Sequence, residues 1–236
     1  LQAQVRTEQL LEKGWKFTRE DKAEFAKVGY DDAQWQDVIV PHDWAIYGPF
    51  SPHNDRQFVA ITQDGQKEAI SHAGRTGGLP FVGPGWYRLD FEVPSFKAGK
   101  KATLIFDGAM SHARVYINGH EAGYWPYGYN TFYVDATSFL KSGQMNELAV
   151  RLENYSESSR WYPGAGIYRN VHLVVTEDIH VPVWGTHLTT PRVSDSLARV
   201  ELKTKVEGVS EANREQLRIV TTIFDDKGSS VAAAEG

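Results

Sequence analysis

Residues 86–93 read Trp86-Tyr87-Arg88-Leu89-Asp90-Phe91-Glu92-Val93, and the alternation in this stretch decides the fold class. Tyr87, Leu89, Phe91 and Val93 fall on one side of an extended chain, and Arg88, Asp90 and Glu92 on the other, which predicts a strand with one buried face and one solvated face. The same period of two recurs in Ala102, Leu104 and Phe106, in Val115 and Ile117, and in Leu148, Val150 and Leu152. It returns in Ile167, Arg169, Val171, Leu173 and Val175. Asn118-Gly119 supplies the two positive-φ positions of a type I′ turn, so its flanks are expected to pair as a hairpin. Several such segments bounded by Gly, Pro, Asn and Asp predict an all-β chain built as a sandwich.

Helical periodicity is scarce. Glu8–Lys13 and Asp31–Asp37 each suit a turn or two, the second capped by Asp31 or Asp32. Between Ser51 and Pro84 the pattern fades into Gly, Pro, Asn, Asp and Gln, a stretch longer than an ordinary connection and of the kind that carries function or moves. A boundary is expected between Glu177 and Trp184, where Pro182 follows a completed strand, giving domains at 1–180 and 181–236. In the second, Val200, Leu202, Thr204 and Val206 form one strand face, Leu217, Ile219, Thr221 and Ile223 another, and Asp225–Gly228 a turn. Three or four strands do not close a sandwich, so the natural protein is expected to continue past Gly236.

Composition narrows the function classes. A net charge of -5 and a pI near 5.9, with the basic residues scattered, argue against a nucleic-acid partner. No apolar run approaches the length of about 18 residues that suggests a membrane span, so a soluble chain is expected. The absence of cysteine removes disulfides, thiolate metal sites and a cysteine nucleophile. The opening Leu1-Gln2-Ala3-Gln4 fits the small-residue tail of a cleaved export signal, giving a periplasmic or secreted expectation with cytoplasmic as the alternative.

Four phrases occur in order: Val40-Pro41-His42-Asp43-Trp44, Gly85-Trp86-Tyr87-Arg88, Val115-Tyr116-Ile117-Asn118-Gly119, and the run from Arg160-Trp161-Tyr162-Pro163-Gly164 to Val171. Together they resemble glycoside hydrolase family 2, in particular its β-galactosidase-like members from Bacteroidetes. The likeness covers Leu10 to about Val175. The resemblance implies a jelly-roll sandwich of the galactose-binding-like kind, then an immunoglobulin-like sandwich, here partial. A (β/α)₈ barrel would follow, carrying an acid/base Glu and a nucleophile Glu. It also implies β-linked galactosides or related oligosaccharides as substrates and the barrel of the same parent chain as partner. No cofactor or metal is expected. Self-association is left open. Retaining chemistry needs two carboxyl groups about 5 Å apart. Asp107, Asp135, Glu147 and Glu153 read as ordinary exposed residues, and no catalytic pair is nominated. The chain is expected to be inactive alone.

The candidate substrate-binding residues are Asp43, Arg160, Trp161 and Tyr162. Asp43 either fixes its turn by accepting backbone N–H groups while Trp44 fills the core, or shapes the rim of the barrel's sugar pocket. Arg160 can donate to sugar hydroxyls and Trp161 can stack on a ring face, or both pack at a domain interface. Some family members carry an Asp near this place, whereas this chain reads Ser159-Arg160-Trp161. The loop residues His53, Asn54, Asp55, Arg56, His72 and Arg75 lack metal-ligand spacing. An alternative function, a stand-alone carbohydrate-binding module, would use Tyr124, Trp125, Tyr127 and Tyr129 as a platform. Aromatic residues there also suit a plug for the sandwich end.

Overall fold

The strand 83–92 lies at the centre of a two-layer sandwich. The computed structural model describes residues 6–73, 77–157 and 164–236. Two compact units divide the chain, Leu1–Glu177 and Asp178–Gly236. In the first, the strands in chain order are β1 (Arg6–Leu10), β2 (Trp15–Thr18), β3 (Gln36–Val38), β4 (Gln57–Val59), β5 (Ile70–His72) and β6 (Gly83–Glu92). They continue as β7 (Lys101–Phe106), β8 (Ala113–Ile117), β9 (His120–Trp125), β10 (Phe132–Asp135), β11 (Met145–Asn154) and β12 (Val171–Thr176). One sheet has four strands in the order β1-β12-β7-β10, the other six in the order β3-β2-β6-β11-β8-β9. Their pairing is antiparallel throughout.

Tyr87, Leu89, Phe91 and Val93 point into the core, where they meet Leu104, Phe106, Ile117, Leu148, Leu152 and Leu173. The Asn118-Gly119 turn takes φ values of 50° and 81° and joins β8 to β9 with Ile117 opposite His120, the geometry of a two-residue primed hairpin.

The other face of β6 departs from the expected solvated face. Arg88 is 3% exposed and Trp86 2%, because the chain between β2 and β3 folds over the sheet. Its Phe25 packs edge-on to Trp86, Trp35 and Tyr30. Arg88 is satisfied there from every side. Its Nε donates to Asp32 Oδ2 at 2.9 Å, Nη1 to Phe25 O at 2.7 Å, and Nη2 to Glu147 Oε2 at 2.7 Å. Glu147, read from sequence as exposed, is half-buried and also accepts from Gly29 N.

The two short helical expectations are corrected. Residues 6–10 form β1 and pair with β12, Leu10 opposite His172; a one-turn helix has no intrahelical partners for its ends, and pairing supplies them. At Asp31 a turn does form, with Oδ1 accepting from Ala33 N at 3.1 Å, but the chain then extends into β3 against β2. The stretch 51–84 contains its own hairpin, β4 with β5, buttressed by Arg56, which donates to Ser71 Oγ and Ser71 O at 2.7 Å each.

In the second unit, β13 (Thr186–Val193) pairs with β14 (Ala198–Thr204), and β15 (Val220–Phe224) with β16 (Ser230–Glu235). Val200, Leu202 and Thr204 line an apolar cleft of about 470 Å³ with Ile219, Thr221 and Ile223. The strand faces are shorter than expected: Val206 lies beyond β14, and Leu217 ends a 3-10 turn, Arg214–Gln216. Asp225 closes the β15–β16 turn by accepting from Ser229 N at 2.7 Å. Among the described residues no helix is long and apolar enough to cross a membrane.

Candidate functional site

Three of the four sequence phrases meet at one end of the sandwich. The segment after Pro41 runs beside residues 165–167: His42 N donates to Ile167 O at 2.8 Å and Trp44 N to Ala165 O at 2.9 Å. Asp43 clamps the two together, since its Oδ1 accepts from Ala45 N within its own turn and from Ala165 N across the gap, both at 2.9 Å. Trp44 is buried and stacks on Phe17, with centroids 5.3 Å apart. Gly85 explains its place in the second phrase, because a Cβ there would stand 2.7 Å from the Trp44 ring. Both the loop and the strand beneath it therefore require small residues opposite large ones.

His42 and Tyr87 form the buried polar pair of this end. His42 Nδ1 lies 2.7 Å from Tyr87 Oη. Burial holds the His42 imidazole below its ordinary pKa, opposed by Asp43, and pushes the Tyr87 phenol well above its own. Both are therefore neutral near pH 7. Gly166 sits against them at φ +120°, where an added Cβ would be 2.4 Å from His42 O and 2.5 Å from Tyr87 Oη. Arg19 Nη2 donates to Trp44 O at 3.1 Å, and its guanidinium lies over the Phe81 ring. Asn154 Nδ2 donates to Gly164 O at 2.9 Å. These contacts anchor the chain on both sides of Arg160, Trp161 and Tyr162, which lie outside the described residues, as does Arg75.

Sequence reading singled out Asp43 but missed its partners. His42 and Tyr87 stand in quoted phrases, and the signal that they touch was only their shared membership of that set. Arg19 gave no signal, and nothing in the sequence pointed to Asn154 as a partner of Gly164. The four-aromatic platform is divided: Trp125 turns toward the core, stacked on Phe132 at 6.0 Å, with Nε1 donating to Asn130 Oδ1 at 3.1 Å. Tyr124, Tyr127 and Tyr129 are exposed. Of the acidic residues set aside as a catalytic pair, Asp107 faces His172, Glu153 pairs with Arg151, and Asp135 is exposed and turns back on Thr137 N. Among the described residues no group of three or more His, Cys, Asp or Glu is placed to hold a metal ion.

Fold and site together define a β-sandwich module whose loop end is held by backbone-directed polar clamps. The chain belongs to glycosyl hydrolases family 2, whose sugar binding domain it matches over residues 10–177. It is 39% identical over 219 residues to the beta-galactosidase BoGH2A of Bacteroides ovatus, covering 92% of this chain and 24% of that protein. It is 30% identical over 217 residues to a putative beta-glucuronidase of Formosa agariphila, covering 92% of this chain and 19% of that protein. A crystal structure of a beta-glycosidase from Bacteroides vulgatus superposes with a TM-score of 0.79 at 29% identity, covering 97% of this chain and 27% of that one. The chain thus spans about a quarter or less of the length of these curated relatives.

Proposed function

We propose that this chain serves as the non-catalytic sugar-binding portion of a retaining β-glycosidase, with β-linked galactosides as the substrate class. Its work is to brace a catalytic barrel and to present residues 160–162 to the sugar. The Asp43 clamp carries this reading. It ties the 41–45 turn to Ala165, a described residue that follows Tyr162 in the chain, through short bonds to backbone N–H groups. The family membership supplies the hydrolase context, and the beta-galactosidase relative favours galactose over glucuronic acid as the sugar.

The test is made in the parent enzyme with a chromogenic β-galactoside. Arg160→Ala and Trp161→Ala are expected to raise KM about tenfold, equivalent to one polar or stacking contact, with thermal unfolding unchanged. Unchanged KM in both variants would overturn the assignment of this segment to the sugar. A second reading, a stand-alone binding module, draws support from the exposure of Tyr124, Tyr127 and Tyr129 and loses it from the inward turn of Trp125.

A further inference from the structure

The outer face of the six-stranded sheet carries a row of side chains that the Asp43 clamp does not use, anchored at one end by Trp86 of the buried Phe25 cluster. Thr18, Trp86, Arg151, Arg114 and Tyr124 are successive Cα partners across β2, β6, β11, β8 and β9. Side chains opposite one another in an antiparallel sheet share a face. At strand spacings near 4.8 Å, the part of the row from Trp86 to Tyr124 is about 14 Å long, the reach of a short oligosaccharide rather than of one sugar. The 3-10 turn Ala23–Ala26 rises beside it, and between them lies an open cleft of about 440 Å³, lined by Asp21, Trp86, Arg114, Tyr116 and Arg151 with Ala23 and Ala26.

The chemistry of this cleft has two parts. Its floor is aromatic: the half-buried Tyr116 stacks at 5.7 Å and 23° on Trp86, which is itself buried beneath Phe25. At its far side Tyr124 is 48% exposed and carries the Arg114 guanidinium over one face of its ring, 4.9 Å from the centroid. The polar part is made of ion pairs already closed: Arg151 with Asp21 at 2.7 Å and Glu153 at 2.8 Å, and Arg114 with Glu121 at 3.0 Å. Three carboxylates against two guanidiniums leave no surplus positive charge to draw in an anion. A paired guanidinium and carboxylate still offer N–H donors and oxygen lone pairs side by side, the complement of neighbouring hydroxyl groups on a neutral sugar.

From this arrangement we infer that the outer face of the six-stranded sheet binds a neutral glycan chain across β6, β11, β8 and β9. The inference goes beyond the loop-end reading and does not depend on Asp43 or residues 160–162. Binding is by ring stacking on Tyr124 and Tyr116 and by hydrogen bonds from Arg114 and Arg151, with both ion pairs kept.

The experiment titrates the whole 236-residue chain with β-1,4-galactotetraose, cellotetraose and, as the acidic counterpart, a hyaluronan tetrasaccharide, followed by amide chemical shifts. Expected is saturable binding of at least one neutral tetrasaccharide, with shifts on β8, β9, β11 and residues 23–26. Tyr124→Ala and Arg114→Ala each remove one exposed contact and weaken it about tenfold, with the melting temperature held. Tyr133→Ala, an exposed tyrosine on the opposite sheet, leaves it unchanged. Three results overturn the inference: no saturation by either neutral probe, shifts confined to the loops around residues 41–45 and 164–167, or tighter binding of hyaluronan. The second leaves the loop-end proposal standing, so the two readings fail separately.

Discussion

Gly166 is held at φ +120° with His42 O and Tyr87 Oη in the space a side chain would need. Gly166→Ala therefore combines a backbone penalty with a clash that neither neighbour can relieve, and a loss of more than about 4 kcal/mol in urea unfolding is expected. Asp43→Ala leaves the N–H groups of the buried Ala45 and Ala165 without their acceptor, so a loss of about 1–3 kcal/mol is expected, with Asp43→Asn retaining part of it. His42 gives a pH signature. Its folded-state pKa lies below the ordinary 6.5 because of burial, so the unfolded chain takes up a proton first. Stability from this group is complete above about pH 6.5 and is lost as pH falls toward the folded pKa. Urea unfolding at pH 7.5 and 5.5 is expected to show a smaller acid loss for His42→Gln than for the parent chain; equal losses would remove His42 as the cause. Asp43 was legible because a Pro-His-Asp-Trp turn asks for a backbone acceptor. Its second partner, 122 residues on in the chain, was not, since no local pattern encodes a contact at that separation.

Period-two alternation made most of the strands legible. It found the inner face of β6 because that face answers only to the core. Burial of the outer face depends on Phe25 and Trp35, delivered by a segment some fifty to sixty residues earlier, and on an Arg88 whose charge read as a mark of solvent. The same blindness affected β1, whose residues have no strong strand pattern and are extended because β12 lies beside them. The Arg88 cluster is testable as a unit. Arg88→Met leaves Asp32 and Glu147 facing each other without their cation, and a loss of about 3–5 kcal/mol is expected. Adding Glu147→Gln to Arg88→Met should cost less than Glu147→Gln in the parent, a coupling measured by a double-mutant cycle. Additive losses would mean that Arg88 acts through packing alone.

At the scale of the whole chain, the two units differ in how well their strands are covered. In the first, β6, β7, β11 and β12 have neighbours on both sides and a shared core. In the second, β13 to β16 form two-stranded pairs with mostly exposed side chains. Isolated pairs of strands are marginal in water, so amide hydrogen exchange in β15 and β16 is expected to run at least about a hundredfold faster than in β6 and β11. Equal protection would show the second unit to be as well consolidated as the first. Family membership was legible because its phrases serve packing: Gly85 under Trp44 and Gly166 under Tyr87 are steric necessities of this chain's fold. Sugar preference was not legible, because the relatives matched over the same stretch include both a beta-galactosidase and a putative beta-glucuronidase.

The measurement that bears most directly on the account is a turnover assay of the 236-residue chain with chromogenic β-galactoside and β-glucuronide, at protein concentrations high enough to detect slow hydrolysis. Among the described residues the carboxylates set aside as a catalytic pair either face cations or histidine or lie exposed in a turn, so a rate equal to buffer alone is expected with both substrates. Hydrolysis that scales with protein concentration and survives repurification would contradict the proposal that this sandwich is the non-catalytic part of a glycosidase.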